Sequence, residues 1–175
     1  MVRARRLNHA VLYVRDVARS AAFYERVLGF SVIASIPDGR AAFLRSGFDE
    51  NHHDLALFQV GMPGMYGKPA PAAPTIATER AQGPGLGSVG LYHLAWEVDS
   101  IADLTAAHDL LVEIGALIGS TDHSVSKSIY GVDPDGIEFE LMWPVPEEEW
   151  RAHPDATLEP LDLEAEVARW GAAPA

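Results

Sequence analysis

The sequence contains no cysteine, and this absence excludes both a disulfide framework and a thiolate metal site. Any metal ion must therefore be held by histidine and carboxylate side chains. Apolar residues make up 48% of the 175 residues, a share that excludes a largely disordered chain. Because a chain of this length can bury about 70% of its unfolded surface, we expect one compact domain that folds without disulfides.

Positive charge is scarce, and the formal net charge is −12. This balance argues against a nucleic-acid partner, because binding phosphates requires a basic surface. From Val145 onward the chain has eight acidic residues against two basic ones, so this tail carries half of the net charge. We interpret the excess as a contribution to solubility.

Long apolar runs are also absent, and no stretch approaches the roughly 20 residues that a membrane helix requires. The basic N-terminus, MVRARRLNHAVLYVRD, is interrupted by Asn8, His9 and Arg15, which is not typical of a signal peptide. We therefore expect a cytoplasmic protein without a membrane partner.

Two segments of the chain repeat each other with an offset of 84 residues. LNHAVLYVRDVARSAAFY, from Leu7, aligns with LYHLAWEVDSIADLTAAH, from Leu91. In both segments a histidine opens an alternating apolar strand, turn residues follow, and an amphipathic helix comes next. The predicted helices cover 17–27, ended by Gly29, and 101–114, ended by Gly115. Three strands follow each helix, at 30–36, 40–44 and 54–60 in the first half and near 116–118, 126–132 and 137–143 in the second.

The repeat predicts a single domain over 1–144 and an acidic tail over 145–175. Module one covers 5–60 and module two covers 91–144. The segment 61–90 is rich in glycine, proline and alanine, which indicates either a plain linker or a lid or dimer arm. The tail contains one short helical pattern, 161–170, which we expect to dock through Leu163, Val167 and Trp170.

The same offset identifies four equivalent positions, occupied by His9, Ala56, His93 and Glu140. Two imidazoles and one carboxylate on rigid strands can bind one face of a divalent metal and leave other positions open, which suits Fe(II) chemistry with O₂. Each residue taken singly is more often an ordinary core, edge or surface residue. The agreement of His9, His93 and Glu140 with one repeat offset favours a metal site.

These segments resemble the vicinal oxygen chelate superfamily, which includes glyoxalase I, fosfomycin-resistance proteins, epimerases and type I extradiol ring-cleaving dioxygenases. The resemblance covers about Leu7 to Trp143. It implies an α+β fold in which the two βαβββ modules form a paired, partly open, barrel-like cup around the metal site.

The last part of module two resembles the extradiol dioxygenase signature, which joins His123, Tyr130, an Asp-Pro-Asp-Gly turn at 133–136 and Glu140. The resemblance implies Fe(II), with Mn(II) as an alternative and Zn or Ni as substitutes, a catechol-like diol and O₂. Tyr130 would donate a hydrogen bond to a substrate oxygen, and His123 would orient the substrate or Tyr130. Without the resemblance, the Asp-Pro-Asp-Gly turn would suit any hairpin, and His123 and Tyr130 would be read as loop and strand residues with no catalytic role.

The segment His52-His53-Asp54-Leu-Ala-Leu resembles the strand that carries the acid–base histidine of extradiol enzymes. The match implies His53, with His52 as the alternative. Adjacent histidines at the start of a strand are often simply exposed.

Two other functions stay open at this level. A metal-dependent lyase or isomerase of the same superfamily would need a fourth ligand, for which Glu50, Asp54 and Gln59 are candidates, since Ala56 supplies none. A non-enzymatic module that binds a drug between two subunits would need no metal. We expect a homodimer or a larger homo-oligomer.

Overall fold

The computed structural model describes residues 3, 6–48, 51–61, 91–152 and 157–171. The chain divides into two compact units, Met1–Leu86 and Gly87–Ala175. Apart from Gly61, the predicted linker or lid 61–90 lies outside the described residues, as does Glu50. Among the helices that are described, none has the length and apolar character needed to cross a membrane.

The first unit is a four-stranded mixed sheet with one helix. Its elements in chain order are β1 (Ala10–Val14), α1 (Val17–Leu28), β2 (Ser31–Ser35), β3 (Ala41–Arg45) and β4 (Leu55–Gln59). The strand order is β1-β4-β3-β2, with β1 parallel to β4 and the other neighbours antiparallel.

Helix α1 begins at Asp16, whose side chain accepts a hydrogen bond from the Arg19 N–H. It ends at Gly29, which has a φ of 65°, a left-handed conformation that glycine adopts without strain. The helix buries residues spaced three and four apart, so one face packs against the sheet. These residues are Val17, Ser20, Ala21, Tyr24 and Val27.

The second unit repeats this arrangement. Its elements are β5 (Leu94–Glu97), α2 (Ile101–Glu113), β6 (Leu117–Asp122), β7 (Ser126–Val132) and β8 (Glu138–Pro144), followed by α3 (Glu147–Ala152) and α4 (Leu163–Trp170). The strand order is β5-β8-β7-β6, with β5 parallel to β8. The predicted α+β class and the two βαβββ modules are therefore confirmed.

Strand pairing preserves the sequence repeat to the residue. Val11 pairs with Ala56 between β1 and β4, and Ala95 pairs with Glu140 between β5 and β8. Both pairs are related by the predicted offset of 84 residues. Ala56 and Glu140 therefore occupy equivalent places in their two sheets.

A second equivalence was not apparent from the sequence. Phe43 on β3 pairs with Ala56, and Tyr130 on β7 pairs with Glu140. Both sheets also have a register irregularity on the next strand, between Val32 and Ala34 and between Leu117 and Gly119. Phe43 is thus the counterpart of Tyr130, without the hydroxyl group.

The acidic tail attaches to the edge of the second sheet. Asp122, at the end of β6, forms an isolated antiparallel bridge with Glu159. The sequence predicted a shorter strand near 116–118, because Gly-Ser-Thr-Asp at 119–122 has the composition of a loop, whereas the structure pairs these residues with β7. The tail also contains α3, which was not predicted, and α4, where the Trp170 ring lies 5.9 Å from that of Trp143.

Lys127 connects the tail to the sheet through ion pairs. Its Nζ lies 2.6 Å from Asp122 Oδ2 and 3.3 Å from Glu166 Oε1, and the lysine side chain is 5% exposed. Burial alone would raise the pKa of Asp122, but the hydrogen bonds from Lys127 and from the Ser124 N–H outweigh it and lower that pKa. The buried cation is therefore shared between β6 and α4.

Lys127→Ala should lower the free energy of unfolding by about 3 kcal/mol, because it leaves two carboxylates with little solvent and no cation. Urea unfolding at pH 7 measures the change. Glu147→Gln is the matched control: it breaks the exposed pair with Arg151 and should cost less than about 1 kcal/mol. Equal effects of the two substitutions would contradict the role of Lys127.

The pH dependence of this contribution follows from Asp122. Its pKa in the folded protein lies below the ordinary 3.8. The carboxylate therefore stabilises the fold above its unfolded pKa, and this stabilisation is lost as the pH falls through the lower, folded value.

Candidate active site

His9 lies immediately before β1, and a side-chain network fixes its ring. Its Nδ1 lies 2.8 Å from Asn8 Oδ1, and because an amide oxygen only accepts, Nδ1 carries the proton. The Asn8 amide in turn donates to Asn51 Oδ1 at 2.9 Å. In this tautomer the lone pair of the imidazole lies on Nε2, which is the nitrogen that could bind a metal.

Asn51 ties the starts of β1 and β4 together. Its buried amide nitrogen lies 2.7 Å from the Asn8 carbonyl oxygen and 2.8 Å from that of His53. Neither Asn8 nor Asn51 was predicted from the sequence as part of the site. Their signal was weak, since each is only a polar residue next to a histidine.

The carboxylate of Asp54 is already engaged. It accepts from the Ser46 N–H at 2.8 Å and from the Asn51 amide at 2.9 Å, one bond on each oxygen. Gln59 lies three residues beyond Ala56 on β4 and so projects from the opposite face of the strand. Neither residue is well placed to supply the fourth ligand that a lyase-type site needs.

His53, the acid–base residue that the resemblance implies, lies beside His9, a predicted metal ligand. Its ring centroid is 4.5 Å from that of His9 and 5.2 Å from that of Phe43. Burial, followed by the charges of His9 and His52, lowers the pKa of His53, against a weaker opposing effect of Asp54. Its ring is therefore neutral at neutral pH.

His52 is exposed, and its Nδ1 lies 3.1 Å from His53 Nδ1. One nitrogen must donate and the other accept. When His53 Nδ1 is the donor, its Nε2 is unprotonated and is the nitrogen available for a substrate proton. The ring of His53 contacts that of His9, whereas the ring of His52 contacts that of His53.

In the second unit, His93 and Glu140 are in direct contact. His93 Nε2 lies 3.0 Å from Glu140 Oε2, and the side chains are 24% and 12% exposed. Two ligands about 2.1 Å from one metal at right angles lie about 3.0 Å apart, so the pair fits a shared divalent ion. His93 Nδ1 is buried, and no hydrogen-bond partner for it is found among the described residues.

Tyr130 and His123 extend this pair into a chain of contacts. Tyr130 Oη lies 3.5 Å from Glu140 Oε1 and 2.8 Å from His123 Nε2. The Tyr130 and His93 ring centroids are 5.7 Å apart. Burial, and then the negative charge of Glu140, raise the pKa of the Tyr130 hydroxyl, so it stays protonated at neutral pH.

Two tight turns hold this arrangement. Ser124 has a φ of 68°, and its N–H donates to Asp122 Oδ1 at 2.7 Å, which fixes the loop carrying His123. In the Asp-Pro-Asp-Gly turn, Asp133 Oδ1 accepts from the N–H groups of Asp135 and Ile137 at 2.9 and 2.8 Å. This second turn sets the start of β8 and hence the position of Glu140.

Inside either unit, the residues that the structure describes gather no group of three His, Asp or Glu side chains suited to a metal ion. The predicted residues instead form two sets. The first unit brings together His9 and His53, and the second brings together His93, Glu140, Tyr130 and His123. The three-ligand set, which draws on both units, stays a prediction.

Comparison with known proteins agrees with this fold. The family model of the glyoxalase/bleomycin resistance protein/dioxygenase superfamily matches residues 6–141. A catechol-2,3-dioxygenase of Bacillus subtilis (strain 168) is 30% identical over 145 residues, which are 83% of this chain and 44% of that protein. The chain thus spans less than half the length of this relative.

Solved structures show the same fold. A glyoxalase/dioxygenase from Nostoc punctiforme superposes with a TM-score of 0.59 at 22% identity, covering 84% of this chain and 98% of that one. A lactoylglutathione lyase from Agrobacterium tumefaciens gives a TM-score of 0.56 at 20% identity, covering 80% and 94%. With its two βαβββ units and a family match over most of its length, the chain belongs to the glyoxalase/bleomycin resistance protein/dioxygenase superfamily.

Proposed function

We propose that this protein is a metal-dependent extradiol-type dioxygenase that cleaves a catechol-like diol with O₂. The observation that carries the proposal is the contact chain His123–Tyr130–Glu140–His93, in which His123, Tyr130 and Glu140 belong to the segment that resembles the extradiol signature. The similarity to a catechol-2,3-dioxygenase supports it, although this chain matches only part of that protein.

His9, His93 and Glu140 would hold the metal. The free Nε2 of His9 and the 3.0 Å separation of His93 Nε2 and Glu140 Oε2 suit this role. Fe(II) bound there would lower the pKa of a chelating diol and supply the redox chemistry with O₂, while Mn(II) is the alternative ion.

His53 would accept a proton from the diol at Nε2. Its lowered pKa keeps the ring neutral, and its contact with His9 puts it next to a proposed ligand. Tyr130 and His123 would orient the substrate, because the hydroxyl lies against Glu140 and is anchored by His123. Phe43 packs edge-on against His53 and shields that ring.

The missing ligand at Ala56 favours oxygen chemistry over a lyase or isomerase. Ala56 is buried at the place in sheet one that Glu140 holds in sheet two. A protein carboxylate at Ala56 would take up a metal position that a chelating diol and O₂ need. Asp54, the nearest acidic alternative, is committed to Ser46 and Asn51.

The direct test is anaerobic loading with Fe(II), followed by addition of catechol or 2,3-dihydroxybiphenyl and then air. We expect O₂ uptake and a yellow ring-opened product. The Zn(II)-loaded protein is the control, because Zn(II) has no redox chemistry and should give neither signal. If no catechol yields colour or O₂ uptake at full iron occupancy, the proposal is wrong.

A further inference from the structure

The C-terminal tail reaches the loop that carries His123. The Thr157 N–H donates to the His123 carbonyl oxygen at 3.1 Å. Asp122 and Glu159 exchange two main-chain hydrogen bonds of 2.8 and 3.0 Å. We refer to Thr157–Glu159 as the tail segment. It adds a short strand-like edge next to β6, beside two residues of the proposed site.

The tail segment also contacts the His123 ring. His123 Nδ1 lies 3.0 Å from the Thr157 carbonyl oxygen. A carbonyl oxygen can only accept, so Nδ1 carries a proton, and when the ring is neutral Nε2 is an acceptor. The partner of Nε2 is the Tyr130 hydroxyl at 2.8 Å, whose proton therefore points at His123.

The orientation of that proton decides what Tyr130 offers to a ligand. A hydroxyl has a single proton, and the 2.8 Å contact with His123 is much shorter than the 3.5 Å contact with Glu140. With the proton committed to His123, the lone pairs of the Tyr130 oxygen remain for a donor. This differs from the expectation from the sequence, in which Tyr130 donates to a substrate oxygen.

We propose that the tail segment is a positioning element of the active site, which uses the Thr157 carbonyl to hold His123 as its Nδ1–H tautomer and thereby makes Tyr130 a hydrogen-bond acceptor toward the substrate hydroxyl. The catalytic consequence rests on the proposed dioxygenase function, whereas the tautomer does not. Thr157 acts through His123 and is a positioning residue.

The tautomer can be measured without any enzyme assay. In the ¹⁵N-histidine NMR spectrum, a protonated and an unprotonated ring nitrogen resonate far apart. We expect the signals of His123 to show a protonated Nδ1 and an unprotonated Nε2 near neutral pH, in the 175-residue chain without metal and with diamagnetic Zn(II). His123→Gln assigns these signals among the seven histidines. A protonated Nε2, whether or not Nδ1 is also protonated, would overturn the proposal.

Two substitutions at Thr157 separate the main chain from the side chain. Thr157→Pro removes the N–H that binds His123, whereas Thr157→Ala removes only the hydroxyl that bonds the Asp122 carbonyl oxygen at 3.3 Å. We expect the alanine variant to keep the Nδ1–H tautomer and the proline variant to become a mixture of tautomers. A pure Nδ1–H tautomer in folded Thr157→Pro would contradict the role of the tail segment.

The kinetic effect should fall on turnover. In the iron-loaded enzyme we expect Thr157→Pro to lower kcat with catechol by about tenfold with little change in KM. A misoriented hydrogen-bond acceptor at Tyr130 should affect the chemical step more than substrate binding. If kcat is unchanged although the tautomer has changed, the orientation of the Tyr130 hydroxyl does not contribute to turnover, and that part of the proposal is wrong. Absence of catechol turnover in the unsubstituted chain would instead defeat the proposed function and leave the tautomer result intact.

Discussion

Glu140→Ala should release the metal and abolish catechol turnover. The substitution removes one of two side chains whose ligand atoms are 3.0 Å apart and leaves His93 without its carboxylate partner. Loss of residues that merely support ligands costs 10- to 100-fold in metal affinity, so loss of a ligand should cost at least about a hundredfold. Metal analysis after dialysis and anaerobic titration with Fe(II) measure the change.

Glu97→Gln is the matched control for Glu140→Ala. Glu97 is an exposed glutamate on β5, the strand paired with β8, and lies outside the contact chain. Its variant should bind Fe(II) and turn over catechol as the unsubstituted chain does. If Glu140→Ala kept full metal occupancy and activity, Glu140 would not be a ligand and the triad would have to be abandoned.

His53→Ala should keep the metal and lose most of the turnover. General acid–base residues contribute about 10²- to 10⁴-fold, and we expect a loss of kcat in this range. His53 contacts the His9 ring but is not itself a proposed ligand, so Fe(II) stoichiometry should stay near one. Parallel iron analysis and steady-state O₂ uptake separate the two effects.

The adjacent histidine provides the comparison for His53. His52 is exposed, and its contact is with His53 rather than with His9. His52→Ala should therefore lower kcat by less than about tenfold, below the range of a general base. A larger loss in His52→Ala than in His53→Ala would reverse the assignment, and loss of iron in His53→Ala would make that residue a ligand.

The repeat in the sequence was sufficient to predict the architecture and part of the site. The offset that relates His9 to His93 also aligns Ala56 with Glu140, and the strand registers keep it. His93 lies two residues before Ala95, the strand partner of Glu140, so the alternation of side chains along the chain puts His93 and Glu140 on the same face.

Other parts of the site depend on contacts that no periodicity records. The Asn8–Asn51 pair joins residues 43 positions apart, and Thr157 contacts His123 across 34 positions. Local patterns cannot encode such pairs, because either partner is an ordinary loop residue until the chain folds. The β6–β7 hairpin was missed for a local reason: its turn at 123–125 has no glycine or asparagine, so β6 was predicted too short and the left-handed Ser124 was not anticipated.

The buried cation at Lys127 determines how the tail responds to ionic strength. Salt screens exposed ion pairs over about 8–10 Å but affects pairs removed from water much less. The Lys127 side chain is 5% exposed, whereas Arg151 and Glu147 are 67% and 58% exposed. Helix α4, which carries Glu166, should therefore stay attached to the second sheet in concentrated salt, even when the surface charges of the acidic tail are screened.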